Sequence, residues 1–259
     1  MILFNAYPVN PFDLPRGVRN KILYKRFFYC LASALTASIL SHAIKPMKPF
    51  LDISNQVPSI TVVDLLTLFL ISITVTVVCI LYIWLYQGFH DRFVRSYWKG
   101  HGWLKPAFGL VLAGVIMIPI YGTLMNMGYV GGYSGKLMPF DDLDISRMVL
   151  VGIVLFLTSA LIAASGNSGG LVMPIMTFGA IFGVCIASFF SNTDPLIFAA
   201  AGLTAAVATA LNVPVAAAVI CMELFGLPAF LPAMFGALSG YFIGKRYVIY
   251  HEIQWKKII

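Results

Sequence analysis

Between Arg147 and Lys245 the chain carries only two full charges, Asp194 and Glu223. No water-soluble fold needs so long a run without charge, because soluble domains average roughly 25% charged residues. Over the whole chain charged residues make up 10% and hydrophobic residues 60%, and the mean hydropathy is +0.90. The sequence therefore reads as an integral membrane protein, with nothing in it to say which membrane.

Against the roughly 20 apolar residues that span a bilayer, the chain divides into about eight apolar segments. These are Phe27 to Ile44, Val62 to Tyr86 with an amphipathic run from Gln87 to Trp98, Ala107 to Tyr121, and Met148 to Ala164. They continue with Leu171 to Phe190, Leu196 to Ala210, Val213 to Phe225 and Phe230 to Ile243. No run alternates with period two, so the expectation is all-helical. Several segments are too short to cross, and the breaks fall at Gly166–Gly170, Asn192–Pro195, Asn212–Pro214 and Gly226–Pro228. Broken, part-spanning helices are what transporter and channel cores use near the midplane. Gly179-x-x-x-Gly183 and Gly236-x-x-x-Gly240-x-x-x-Gly244 put small residues on one helix face. They serve either packing within the bundle or an interface between subunits or around a pore.

The break from Ala164 to Pro174 carries the chemistry. Ser165, Gly166, Asn167, Ser168, Gly169 and Gly170 form a polar, glycine-rich run before Leu171, Val172, Met173 and Pro174. Lipid cannot hydrogen-bond backbone, so irregular chain at membrane depth must be buried in protein or line a wet cavity. The glycines end one helix, and Pro174 fits the first turn of the next. The first N–H groups of that helix lack intrahelical partners and sit at the positive end of its dipole. Such a start is a ready anion site.

Other residues carry blander readings. The net charge of +7 gathers at segment ends, Arg16 to Arg26, Arg92 to Lys105 and Lys245 to Lys257, which suits lipid headgroups and cytoplasmic loops rather than nucleic acid. Cys30, Cys79, Cys185 and Cys221 lie in apolar stretches without metal spacing and read as small buried hydrophobes. Asp141, Asp142 and Asp144 read as a solvated loop, with Asp144 or Ser146 capping the next helix. His42, His90, His101 and His251 sit near segment ends, where interfacial placement outweighs metal ligation. Glu223, the one acid deep in an apolar stretch, reads as structural. No nucleophile–base pair or metal cluster supports an enzyme, and no cofactor is implied. Met1 to Arg16 lacks the basic start and apolar core of a signal peptide.

Ser165 to Pro174 resembles the Gly-x-Phe-x-Pro anion-binding segment of the CLC chloride channels and chloride/proton antiporters. Ile175 to Gly183 is similar to the helix that follows it. Ala201 to Ala206 and Asn212 to Leu224 resemble the next paired half-helices, with Glu223 at the family's terminal acid. Lys105-Pro106-Ala107-Phe108-Gly109 resembles an earlier family helix start, and Val248-Ile249-Tyr250 the segment that carries its pore tyrosine. The resemblance runs from about Lys25 to the C-terminus, which sets a polar or interfacial segment at 1–24 and a membrane half-domain at 25–259.

The resemblance implies a CLC-like broken-helix bundle made of one inverted repeat, the second. It implies chloride held by the amides of Leu171 and Val172, where the family has Phe at the latter position, and by the hydroxyl of Tyr250, with Tyr247 the competitor. The first repeat, with its gating glutamate, has no counterpart here. The expected function is thus a subunit for chloride-like anions, its pathway completed by a partner membrane chain or, in a homodimer, by a second copy. The alternative is a degenerate half kept as a structural subunit of a larger membrane complex. Lys48 falls where antiporters carry a proton-relaying acid, which argues against proton coupling. No regulatory domain is expected after Ile259. Basic clusters and family arrangement disagree on orientation.

Overall fold

The computed structural model describes residues 28, 29, 32, 33, 36, 62–95, 104–118, 145–166, 171–189, 195–244 and 247. The chain divides into two compact units, Met1–Lys48 and Pro49–Ile259. In the first, the described residues are helical, and Thr36 Oγ1 donates to Ala32 O at 2.7 Å.

Among the described residues of the second unit, every regular element is helical. These are α1 (Val62–Arg95), α2 (Leu104–Met117), α3 (Ile145–Ala164), α4 (Val172–Ala187), α5 (Pro195–Leu211), α6 (Pro214–Phe225) and α7 (Phe230–Gly244). A 3-10 turn, Leu227–Ala229, leads into α7. Three stretches, Val62–Arg92, Ile145–Ala164 and Leu227–Gly244, are long and apolar enough to cross a membrane, whereas α2, α4, α5 and α6 are shorter apolar helices. At 1.5 Å per residue the 16 residues of α4 rise about 24 Å, less than the roughly 30 Å hydrocarbon core. These are the full and partial spans that the breaks predict.

The apolar segment and the amphipathic run after Tyr86 form one helix, α1 continuing unbroken to Arg95. Gly88 alone is too weak a breaker, and Phe89 keeps packing on the core.

The burial pattern of α1 shows what kind of solvent the fold expects. Leu68, Ile71, Val75, Cys79, Tyr82 and Ile83 are fully buried, while Leu66, Leu70, Val77, Leu81 and Trp84 are exposed. Both faces recur at helical spacing and both are apolar. A helix apolar all round but buried on one side has protein on that side and lipid on the other.

The centre of the unit is α5. Every residue from Ile197 to Ala210 is buried, and α1, α4, α6 and α7 all pack on it. Small residues permit this. A Cβ added to Gly179 would stand 2.5 Å from Ala206 Cβ, and one on Gly183 2.5 Å from Phe198 O. On the other side, a Cβ on Gly236 would stand 2.5 Å from Ala201 O, and one on Gly244 2.7 Å from Thr209 Cγ2. Both glycine repeats are therefore spent on contacts within the chain, bringing α4 and α7 to the backbone of α5.

Buried threonine hydroxyls are satisfied within their own helices. Thr158, Thr177, Thr204 and Thr209 donate to carbonyls four residues back at 2.7 to 2.9 Å, which removes their cost in an apolar interior. Between helices, the Cys79 thiol lies 3.3 Å from Ala206 O and the Cys221 thiol 3.5 Å from Ala200 O. Cys79, Cys185 and Cys221 are all buried and unpaired, as small apolar residues should be. Cys30 lies outside the described residues.

Candidate functional site

The α3–α4 junction forms as its residue types require. Helix α3 closes with Ser165 N donating to Leu161 O at 3.0 Å and Gly166 N to Ala163 O at 3.2 Å. Gly166 then takes a φ of +91°, a left-handed value that costs other residues roughly 1–2 kcal/mol. A Cβ built there meets nothing within 4 Å among the described residues, so what calls for the glycine is its conformation.

Beyond the break, Leu171 takes the N-cap position of α4 without any side-chain cap. The helical ladder opens with Ile175 N donating to Leu171 O at 3.1 Å. The N–H groups of Leu171, Val172 and Met173 therefore precede the ladder, and Pro174, in the first turn, has no N–H to contribute. The Leu171 side chain is buried in the core, Val172 is partly buried and Met173 is 51% exposed. Leu171 anchors the helix start by its side chain while its backbone leads the helix.

Ser165 is buried, and its hydroxyl donates to Ile162 O at 2.8 Å. A serine has one proton to give, so in this arrangement it serves the end of α3. Its neighbour across the fold is Gly109 of α2, where an added Cβ would collide with Ser165 Oγ and Cβ. The sequence marks Lys105–Gly109 as a helix start, but nothing local reveals that Gly109 braces the junction. Their separation along the chain leaves no periodic trace.

A second layer supports α3 and α4. Tyr82, fully buried on α1, lies with its hydroxyl 3.2 Å from Ser159 Oγ. Its ring packs at 5.1 Å from both Phe156 and Phe178, and Phe182 extends the cluster. Tyr82 of α1, Phe156 of α3 and Phe178 and Phe182 of α4 thus meet in an aromatic core that ties the three helices together.

Of the residues expected to hold an anion, Ser165, Gly166, Leu171 and Val172 lie at this junction. Asn167, Ser168, Gly169, Gly170 and Tyr250 lie outside the described residues, as do Lys48, Asp141, Asp142, Asp144, His42, His101 and His251. Tyr247 is 45% exposed just past α7, and its N–H donates to Gly244 O at 2.8 Å. Glu223 is exposed on the last turn of α6. His90 stacks on Tyr86 with ring centroids 5.9 Å apart. Among the described residues no group of His, Cys, Asp or Glu is arranged to hold a metal ion.

With this geometry in place, likeness to other proteins can be stated. An uncharacterized protein of Methanocaldococcus jannaschii is 32% identical over 160 residues, covering 59% of this chain and 37% of that protein. The crystal structure of a CLC-type fluoride/proton antiporter superposes with a TM-score of 0.65 at 21% identity, covering 84% of this chain and 53% of the other. The present chain thus spans about a third to a half of the proteins it matches. Residues 17–245 match the family described as voltage gated chloride channel, and the chain belongs to that family, the CLC proteins.

Proposed function

We propose that this chain supplies one half of a pathway for a small halide, with the amides that open α4 as its anion-facing donors. The observation that carries the reading is the helix start itself. Leu171, Val172 and Met173 lead α4 ahead of its first ladder bond, a few residues after the left-handed Gly166 that ends α3. Preorganised N–H groups at a helix N-terminus replace an anion's hydration shell without needing a cation. With the Ser165 proton given to Ile162 O, recognition falls on backbone, and backbone recognition tolerates Val172 where the family has Phe. Tyr250 would complete the shell, with Ser165 to Gly170 as its wall.

The remainder of the pathway comes from a first-repeat partner or from a second copy of the chain. Chloride is the expected ion, and the fluoride named for the structural neighbour makes fluoride the natural competitor to test. A second reading, a structural subunit of a larger membrane assembly, is supported by Val172 and Lys48, which stand where the family resemblance expects Phe and an acid.

The test is halide efflux from proteoliposomes holding this chain alone and together with a chain that carries a CLC first repeat. The proposal expects efflux with the partner where a first-repeat chain completes the pathway, or from the chain alone where a second copy does, and loss of that efflux when Gly166 is replaced by Ala. Silence in both preparations, alongside stable co-purification with a larger complex, would favour the structural subunit.

A further inference from the structure

We propose that the C-terminal end of α1 is a binding site for one membrane phospholipid, held by its phosphate at Arg92 and seated over Gly88. This site is separate from the halide reading and does not rest on it.

A cavity of about 430 Å³ opens at this end of the helix, with Trp84, Gln87, Gly88, Phe89, Asp91 and Arg92 among its walls. Positions 84, 87, 88, 91 and 92 follow the i, i+3, i+4, i+7, i+8 pattern of a single helix face. At the middle of that face is the notch. A Cβ built on Gly88 meets nothing within 4 Å among the described residues, which leaves space above it. Trp84 stands one turn before Gly88 and is 73% exposed, and Arg92 stands one turn after it. Arg92 is exposed, and no ion pair is formed to it among the described residues.

Along the same face the residue types run in the order of a lipid molecule. Val77 and Leu81, 53% and 56% exposed, offer an apolar track for an acyl chain. Trp84 has the amphipathic ring that favours the boundary between tails and headgroups. Gly88 leaves room for the glycerol and headgroup, with the Gln87 amide beside it. Arg92 offers the planar fork of donors that matches a phosphate.

Depth is compatible with this order: Trp84 lies about 33 Å along the axis from Val62 at 1.5 Å per residue, so a hydrocarbon core of roughly 30 Å that begins near Val62 ends near Trp84. The sequence that follows keeps the character of an interface, with Arg95, Tyr97, Trp98, Lys99, Trp103 and Lys105. A free phosphate fits Arg92 but leaves the notch and the apolar track unused. The amphiphile uses all three.

The experiment is native mass spectrometry of the whole chain released from detergent micelles after purification from phospholipid nanodiscs. It compares the wild type with Arg92→Gln, Gly88→Leu and Phe242→Leu, the last a control at a lipid-exposed position on α7. The wild type is expected to retain one phospholipid. Its retention should fall about tenfold in Arg92→Gln, as for one lost charge-assisted contact, and by a similar factor in Gly88→Leu, with Phe242→Leu unchanged. Millimolar inorganic phosphate should not displace the lipid. Unchanged thermal midpoints in both variants exclude misfolding as the cause. Equal retention in all four proteins overturns the site, and displacement by inorganic phosphate reassigns it to a soluble anion.

Discussion

Glycine does opposite work in two parts of this fold. In the α4–α5–α7 sandwich, Gly179, Gly183, Gly202, Gly236, Gly240 and Gly244 have ordinary helical backbone, and an added Cβ would strike a neighbouring helix. At the α3–α4 junction, Gly166 has a left-handed backbone and, among the described residues, nothing near the place where a Cβ would stand. One region uses the missing side chain to bring backbones together. The other uses it to turn the chain. A site that must meet an ion needs the second kind of glycine beside it, and a scaffold rigid enough to hold that turn needs the first.

The largest expected effect is in the sandwich. Replacing Gly202 by Leu forces a side chain against Gly179 O and Gly183 Cα and should cost about 3 kcal/mol, the upper range for overpacking. The readout is the midpoint of heat-induced aggregation in detergent. A wild-type midpoint would break the claim that backbone contact sets the helix spacing.

At the turn, Gly166→Ala should cost about 1–2 kcal/mol through backbone strain alone. Its thermal loss should therefore be smaller than that of Gly202→Leu, while halide binding, measured by calorimetry on the partnered complex, weakens. Equal thermal losses for the two substitutions would erase the distinction between them.

Smaller still is the hydroxyl pair behind the junction. Tyr82→Phe should lose about 0.6 kcal/mol, the average for interhelical hydrogen bonds in a membrane protein. A double-mutant cycle with Ser159→Ala measures the coupling directly, and zero coupling would show that the aromatic packing alone holds α1 to α3. The smallest effect belongs to Ser239, whose hydroxyl meets Gly236 O at 2.9 Å on its own helix and, on α1, Ser72 O and Thr76 Oγ1 at 3.2 Å each, the Thr76 hydroxyl having a shorter bond to Ser72 O on its own helix. Because the shorter bond is local, Ser239→Ala should shift stability by less than Tyr82→Phe.

The two regions were not equally legible in the sequence. The junction was, because glycine, proline and small polar residues act on their own backbone and announce a break where they stand. The ends of α3 and α4, and the turn at Asn212 with its φ of 55° before Pro214, fall where those residues predicted. The sandwich was visible only in part. The glycine repeats marked tight packing, yet whether the partner was another subunit or α5 depended on contacts between residues distant in the chain. Gly109 against Ser165 is the same case. Local chemistry writes breaks into a sequence, but it does not record what a smooth helix face will touch.

The central claim is that the amides opening α4 face a halide, and bromide tests it most directly. Crystals of the partnered protein grown in bromide should give anomalous difference density within hydrogen-bonding distance of the Leu171 and Val172 nitrogens. Density elsewhere in the protein, with those nitrogens sealed by side chains or lipid, would contradict the account.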